Sequence, residues 1–124
     1  MNKQIIFSPN VPAPIGPYSQ AVQVGPVLYV SGQIAANVAA NQEGVQAETR
    51  QVMLSLGELL AAAGMHYRNI VKTSIFLKDM NDFAVVNAVY GEFFTSDFPA
   101  RETVQVARLP KDVSVEISVI AYQA

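Results

Sequence analysis

Apolar residues recur along the chain with two different periods, and the switches between them mark out its elements. Tyr18–Val24 (YSQAVQV) and Val27–Gly32 (VLYVSG) read as strands, and Gly25-Pro26 between them predicts a hairpin turn. The proline cluster VPAPIGP (Val11–Pro17) is brief and leads straight into the first strand, so it reads as an ordered loop. IIF (Ile5–Phe7) offers a further edge strand. From Val45 to Ala63 the spacing changes: Val52, Met53, Leu56, Leu59, Leu60 and Ala63 recur at three and four residues, the stripe of an amphipathic helix. Gly64 is placed to end it as a C′ glycine. NIVKTSIFLKD (Asn69–Asp79) returns to strand. A second helix is predicted over Asn81–Ser96, capped by Asp79 or Asn81, with Phe83, Val86, Tyr90, Phe93 and Phe94 as its buried stripe and Gly91 as a weak point. Two strands close the chain, Arg101–Leu109 and Val113–Tyr122, joined through Pro110-Lys111-Asp112 and expected to pair as a hairpin.

The order β-β-β-α-β-α-β-β defines an α+β fold, and two helices can cover only one face of so wide a sheet. In the last strand Val113, Val115, Ile117, Val119 and Ala121 share one face, with Ser114, Glu116, Ser118, Ile120 and Tyr122 on the other. Ile120 and Tyr122 give that second face apolar weight. A partner is expected to cover it, and closed symmetric homo-oligomers are the common solution.

Composition narrows the functional classes. At 124 residues, 51% apolar and 15% charged, the chain suits one domain spanning 1–124 and argues against disorder. It has no cysteine and one histidine, His66, which speaks against disulfide scaffolds, thiol nucleophiles, Cys or His metal sites and a Ser-His triad. Metal-ligand spacings, P-loops and GxGxxG are absent, so neither metal nor cofactor is expected. A net charge of −2 without a basic cluster argues against nucleic acid as a partner. The N-terminus is too short in apolar residues for a signal peptide, and no run could span a bilayer; no membrane association and a cytoplasmic location are expected.

Candidate chemistry centres on Arg101. Alternation puts it on one face with Thr103 and Gln105, an arginine beside a hydroxyl and an amide at a strand end. Such a fork suits a small carboxylate, which it can grip with two parallel charge-assisted bonds. The competing reading is a structural ion pair with Glu116 of the adjoining strand. Tyr18 is either ordinary hairpin packing or a pocket wall. Ser31-Gly32 is either a simple turn or a place where backbone approaches a ligand closely. His66 reads as a surface loop residue, and Met53 and Met65 as packing.

The chain resembles the Rid family of reactive-intermediate deaminases, formerly called the YjgF family, and within it the RidA-type subgroup. APIGPYSQAV (Ala13–Val22), LYVSGQI (Leu28–Ile34), VKTSIFLKDMNDFAVVNAVYGEFF (Val71–Phe94) and FPARETVQVARLPKDVSVEISVIA (Phe98–Ala121) carry the likeness in family order over most of the chain. The resemblance implies a fold similar to trimeric chorismate mutase: a mixed sheet of about six strands with two helices on one face, assembled as a homotrimer with sites between subunits. It implies hydrolysis of enamines and imines (2-iminobutanoate and 2-iminopropanoate), released by pyridoxal-phosphate-dependent serine and threonine dehydratases, to 2-keto acids and ammonia. By the same resemblance Arg101 holds the substrate carboxylate and Glu116 assists the attacking water or departing amine, while Tyr18, Ser31 and Gly32 line the pocket. Thr103 stands where many RidA-type members carry cysteine, and there the backbone carbonyl orients the water. AANVAANQEG (Ala35–Gly44) departs from the family pattern and reads as a variable loop. Two other functions stay open: a non-catalytic regulatory trimer that binds small carboxylates, and the endoribonuclease or translation-inhibitor role attached to some relatives.

Overall fold

The computed structural model describes residues 2–124. Six strands, β1 (Lys3–Ile6), β2 (Ala21–Val24), β3 (Val27–Gln33), β4 (Ile70–Leu77), β5 (Ala100–Gln105) and β6 (Val115–Tyr122), form one mixed sheet in the order β1-β2-β3-β6-β4-β5. Three helices accompany it, α1 (Ala36–Ala40), α2 (Val45–Ala62) and α3 (Phe83–Gly91). The β2–β3 hairpin turns at Gly25-Pro26, with Val24 opposite Val27 and Gly25 at φ 57°, which glycine adopts without strain.

The last two strands do not pair with each other, contrary to the hairpin expected from sequence. α3 is a crossover that returns β5 parallel to β4, and β6 then inserts between β3 and β4, antiparallel to both. Apolar content explains the placement. Val115, Ile117, Val119 and Ala121 are all buried, as a central strand requires, whereas ARETVQ has no fully buried residue and takes the edge.

α2 matches its expected span and buries Val52, Met53, Leu56, Leu59 and Leu60 against the sheet. Its end is a Schellman motif: Met65 N–H donates to Leu60 O (2.8 Å) and Gly64 N–H to Ala61 O (2.9 Å), with Gly64 at φ 73° and Met65 buried in the core. The second helix is shorter than predicted. A 3-10 turn (Met80–Asp82), capped by the Asp79 carboxylate accepting from Asn81 N–H (2.9 Å), leads into α3, which stops at Gly91. Glycine is a poor helix former, and Phe93 and Phe94 leave the helix to pack against Tyr67 and Tyr90 instead. The segment expected as loop at Ala35–Gly44 contains α1, a single turn of Ala, Asn and Val.

Burial alternates along β6, with Glu116, Ser118 and Ile120 on the face away from the helices. On that open face Tyr29 pairs with Ile120 and Val27 with Tyr122; Tyr29 and Tyr122 are 50% and 47% exposed. Among the described residues no helix is long and apolar enough to cross a membrane.

Candidate active site

The residues singled out in the sequence fall into two groups, and one chain does not bring them together. Arg101 pairs across the sheet with Thr73, whose buried hydroxyl accepts from Tyr90 Oη on α3 (3.0 Å). Arg101 therefore lies on the helix-covered face. Glu116 pairs with Phe76 on the opposite face. Two strand spacings and three residues of register separate them, roughly 14 Å between Cα atoms. The ion pair with Glu116 considered from sequence is therefore not formed; it presumed that β5 and β6 were neighbours.

The Arg101 side chain is held by α3. Its Nη1 donates to Asn87 Oδ1 (2.7 Å), and its guanidinium carbon lies 5.2 Å from the Tyr90 ring centroid and 5.8 Å from that of Phe83. One of five N–H donors is thus engaged within the chain, and Arg101 lines a pocket of about 470 Å³ with Asn87, Tyr90, Gly91, Phe98 and Pro99. Thr103, two residues on, shares this face. Its Oγ1 is buried and has no protein partner among the described residues. Gln105 is committed to the fold, since its Oε1 accepts from Met80 N–H (2.7 Å). Burial pushes the Tyr90 phenol up, against the Thr73 hydrogen bond and the Arg101 charge, which both lower it.

Glu116 belongs to a larger cleft of about 990 Å³. Tyr18, Ser31, Gly32, Lys111 and Glu116 line it, and it continues past an irregularity in β3 between Val30 and Gln33 to Gln51 and Ser55 of α2. The Glu116 carboxyl lies over Gly32: a Cβ at that position would stand 2.9 Å from Glu116 Cδ and 3.1 Å from Cγ. The close approach at Gly32 is thus to a side chain of its own sheet, and a larger residue would displace the Glu116 carboxyl. Burial pushes the Glu116 carboxyl above its ordinary value. Tyr18 is 55% exposed and precedes β2, so it is a cleft wall and not hairpin packing. Ser31 Oγ donates to Ser19 O (2.6 Å), which ties β3 to the chain just after Tyr18.

Two contributors were not singled out from sequence. Asn87 orients Arg101 from another element, and nothing in its local pattern marks it. Lys111 brings a cation to the Glu116 cleft from a 3-10 turn with left-handed backbone at Lys111 and Asp112 (φ 55° each).

One mixed sheet with helices on one face, a cationic pocket at its edge and a carboxyl cleft near its centre defines the class. Residues 8–123 match the family described as Endoribonuclease L-PSP, the YjgF/RidA family, and the chain belongs to it. The chain is 48% identical over 124 residues to the 2-iminobutanoate/2-iminopropanoate deaminase of Bos taurus, covering 98% of this chain and 90% of that protein. It is 45% identical to a RutC family protein of Pyrococcus horikoshii, with 98% of each chain covered. Among solved structures, Escherichia coli TdcF with bound serine superposes with a TM-score of 0.88 at 39% identity, covering 98% of this chain and 99% of that one.

Proposed function

We propose that the protein hydrolyses 2-iminobutanoate and 2-iminopropanoate, and their enamine tautomers, to 2-keto acids and ammonia. The observation that carries this reading is a largely uncommitted arginine in a chain 48% identical to a protein named for that reaction. A serine-bound relative adds support, since serine presents a carboxylate and a nitrogen on adjacent carbons as the imines do.

In this reading Arg101 clasps the substrate carboxylate with its remaining donors, and the imine carbon is held within reach of Glu116. A protonated C=N carbon is already electrophilic. Glu116, ionised, takes a proton from water as the water oxygen bonds to that carbon, giving a tetrahedral carbinolamine. The protonated carboxyl then returns the proton to nitrogen, the C–N bond breaks, the second hydroxyl proton is released and the carbonyl forms. A carboxyl raised by burial holds that proton more readily between the two steps than an ordinary one. Tyr18, Ser31 and Gly32 wall the site, and Thr103 lies beside the carboxylate anchor.

Because Arg101 and Glu116 face opposite sides of the sheet, the working site joins Arg101 of one copy to Glu116 of another, within a homotrimer. The exposed apolar residues of the open face, Tyr29 and Tyr122 among them, favour assembly across it. The substrates are released by pyridoxal-phosphate-dependent serine and threonine dehydratases, which places this protein downstream of them. An RNA substrate finds less support: net charge is −2, and Arg50, Lys72 and Lys78 are paired with carboxylates. The test is a threonine dehydratase reaction followed with and without the protein. Wild type should speed keto-acid formation, and Arg101→Ala should lower kcat/KM by about a thousandfold. Equal acceleration by both would defeat the assignment.

A further inference from the structure

We propose that Gln20 is the positioning residue of the Glu116 cleft, a role that rests on the reaction proposed above. Its side chain is buried, with the residue 3% exposed, immediately before β2. Gln20 Oε1 accepts from Ser8 N–H at 2.7 Å. Its Nε2 faces three carbonyls: Pro12 O at 3.0 Å, Val11 O at 3.2 Å and Ser8 O at 3.3 Å. Two N–H hydrogens serve three acceptors, so one is shared. The backbone of the same residue reaches the other wall, Gln20 O accepting from Ser31 N–H at 3.0 Å. Pro12, Ala13, Ile15 and Tyr18 form one side of the cleft, and Ser31 and Gly32 lie beside Glu116 on the other. Gln20 fastens the two sides together, beside the Ser31 Oγ–Ser19 O hydrogen bond, and it alone carries the hold back to Ser8, Val11 and Pro12.

The loop needs such a fastener because of its composition. Prolines at 12, 14 and 17 lack N–H groups and cannot join a ladder. Val11 is the only residue of Val11–Pro17 that is buried. Backbone bonding within the stretch is sparse, a long Val11 N–H to Ser8 O contact at 3.5 Å and Tyr18 N–H to Gly16 O at 2.9 Å. Only a carboxamide can accept from one backbone group and donate to others at the same position. A glutamate of the same shape, when ionised, offers no donor and faces three carbonyl oxygens. A methionine fills the space and leaves the polar groups unpaired.

The test compares wild type with Gln20→Glu and Gln20→Met, reading backbone hydrogen exchange and steady-state hydrolysis of dehydratase-generated 2-iminobutanoate. The expected result is exchange at least about tenfold faster at the bonded amides of the loop, Ser8 above all and with it Asn10, Val11 and Tyr18, with α2 and β6 amides unchanged. KM should rise about tenfold while kcat stays within about twofold, because a displaced wall weakens substrate holding. A purely structural defect does the reverse: it lowers the active fraction, and so apparent kcat, at constant KM. Unchanged exchange at Ser8, Asn10, Val11 and Tyr18, faster exchange everywhere, or an unchanged KM each overturns the proposal, as does failure of both variants to fold. Inactive wild type would remove the reaction reading instead, and the clamp would then be judged on exchange alone.

Discussion

The Arg101 pocket and the Glu116 cleft solve opposite problems with the same sheet. Arg101 sits on an edge strand without one fully buried residue, and its charge stays accessible while α3 fixes its direction through Asn87 and two aromatic rings. Glu116 sits on a central strand, pressed over Gly32 and partly stripped of water. The cation is oriented but solvated; the acid is desolvated but unpaired within its chain. Had they been neighbours they would have neutralised each other, and the carboxyl would have been held low by the guanidinium. Within one chain, placing them on opposite faces leaves most of the arginine's donors unengaged and lets burial alone raise the carboxyl.

The separation yields the largest expected effect. Arg101→Ala and Glu116→Ala should each be nearly inactive. If the site joins two copies, dissociating the two variants and reassembling them together should restore activity. If the assembly is the proposed trimer, random mixing of equal amounts should regain about one quarter of the wild-type rate, since each site draws an intact Arg101 and an intact Glu116 with probability one half. No recovery in mixtures confirmed to contain both chains would mean that each chain works alone.

Two substitutions probe the regions separately. Gly32→Ala puts a methyl group where the Glu116 carboxyl lies, and the flexible end of that side chain must yield. A shift on the order of 1 Å in a reacting group can cost about a hundredfold, so activity should fall by that order while thermal stability changes little. A large loss of stability with activity per folded molecule retained would show that Gly32 serves packing alone. Asn87→Ala removes the hydrogen bond that directs Arg101 and leaves both rings in place. About a tenfold loss in kcat/KM is expected, mostly in KM, with kcat changed by no more than about twofold. An unchanged KM would mean that the rings suffice.

Much of this layout was legible in the sequence, and the gaps have physical causes. The 3.6-residue stripe of α2 and its terminal glycine were readable because helix periodicity and the left-handed cap are local properties. Alternation in Arg101–Gln105 and Val113–Tyr122 sorted the faces of both strands correctly, for the same reason. Their pairing was not readable. Pro110-Lys111-Asp112 looks like a hairpin connection, and whether β5 pairs with its successor or with a strand 28 residues earlier is decided by competition for the sheet centre. The clue was there in the contrast between apolar VEISVIAY and polar ARETVQ. The shortened α3 followed from Gly91 together with Phe93 and Phe94 finding better packing off the helix axis. Asn87 as the partner of Arg101 was out of reach, because it depends on where a crossover helix lands on the strand that follows it.

The smallest expected effect tests the claim that burial alone perturbs Glu116. Burial raises this carboxyl above its ordinary 4.5, so in the pH window between those two values the folded state binds more protons than the unfolded state. Stability then falls as pH rises through that window, and the contribution is fully present only below the unfolded value. Glu116→Gln keeps the shape and removes the titration. Near pH 4 the two proteins should melt together; toward neutrality the Gln variant should become the more stable by about 2 °C or less, solvent screening at a half-buried site keeping the gap small. The sign discriminates between environments. A gap opening the other way, with wild type gaining stability above pH 5, would mean that Glu116 is held by a cation in the assembled protein. The neighbour's Arg101 would then be neutralising the carboxyl to which the proposed reaction assigns proton transfer.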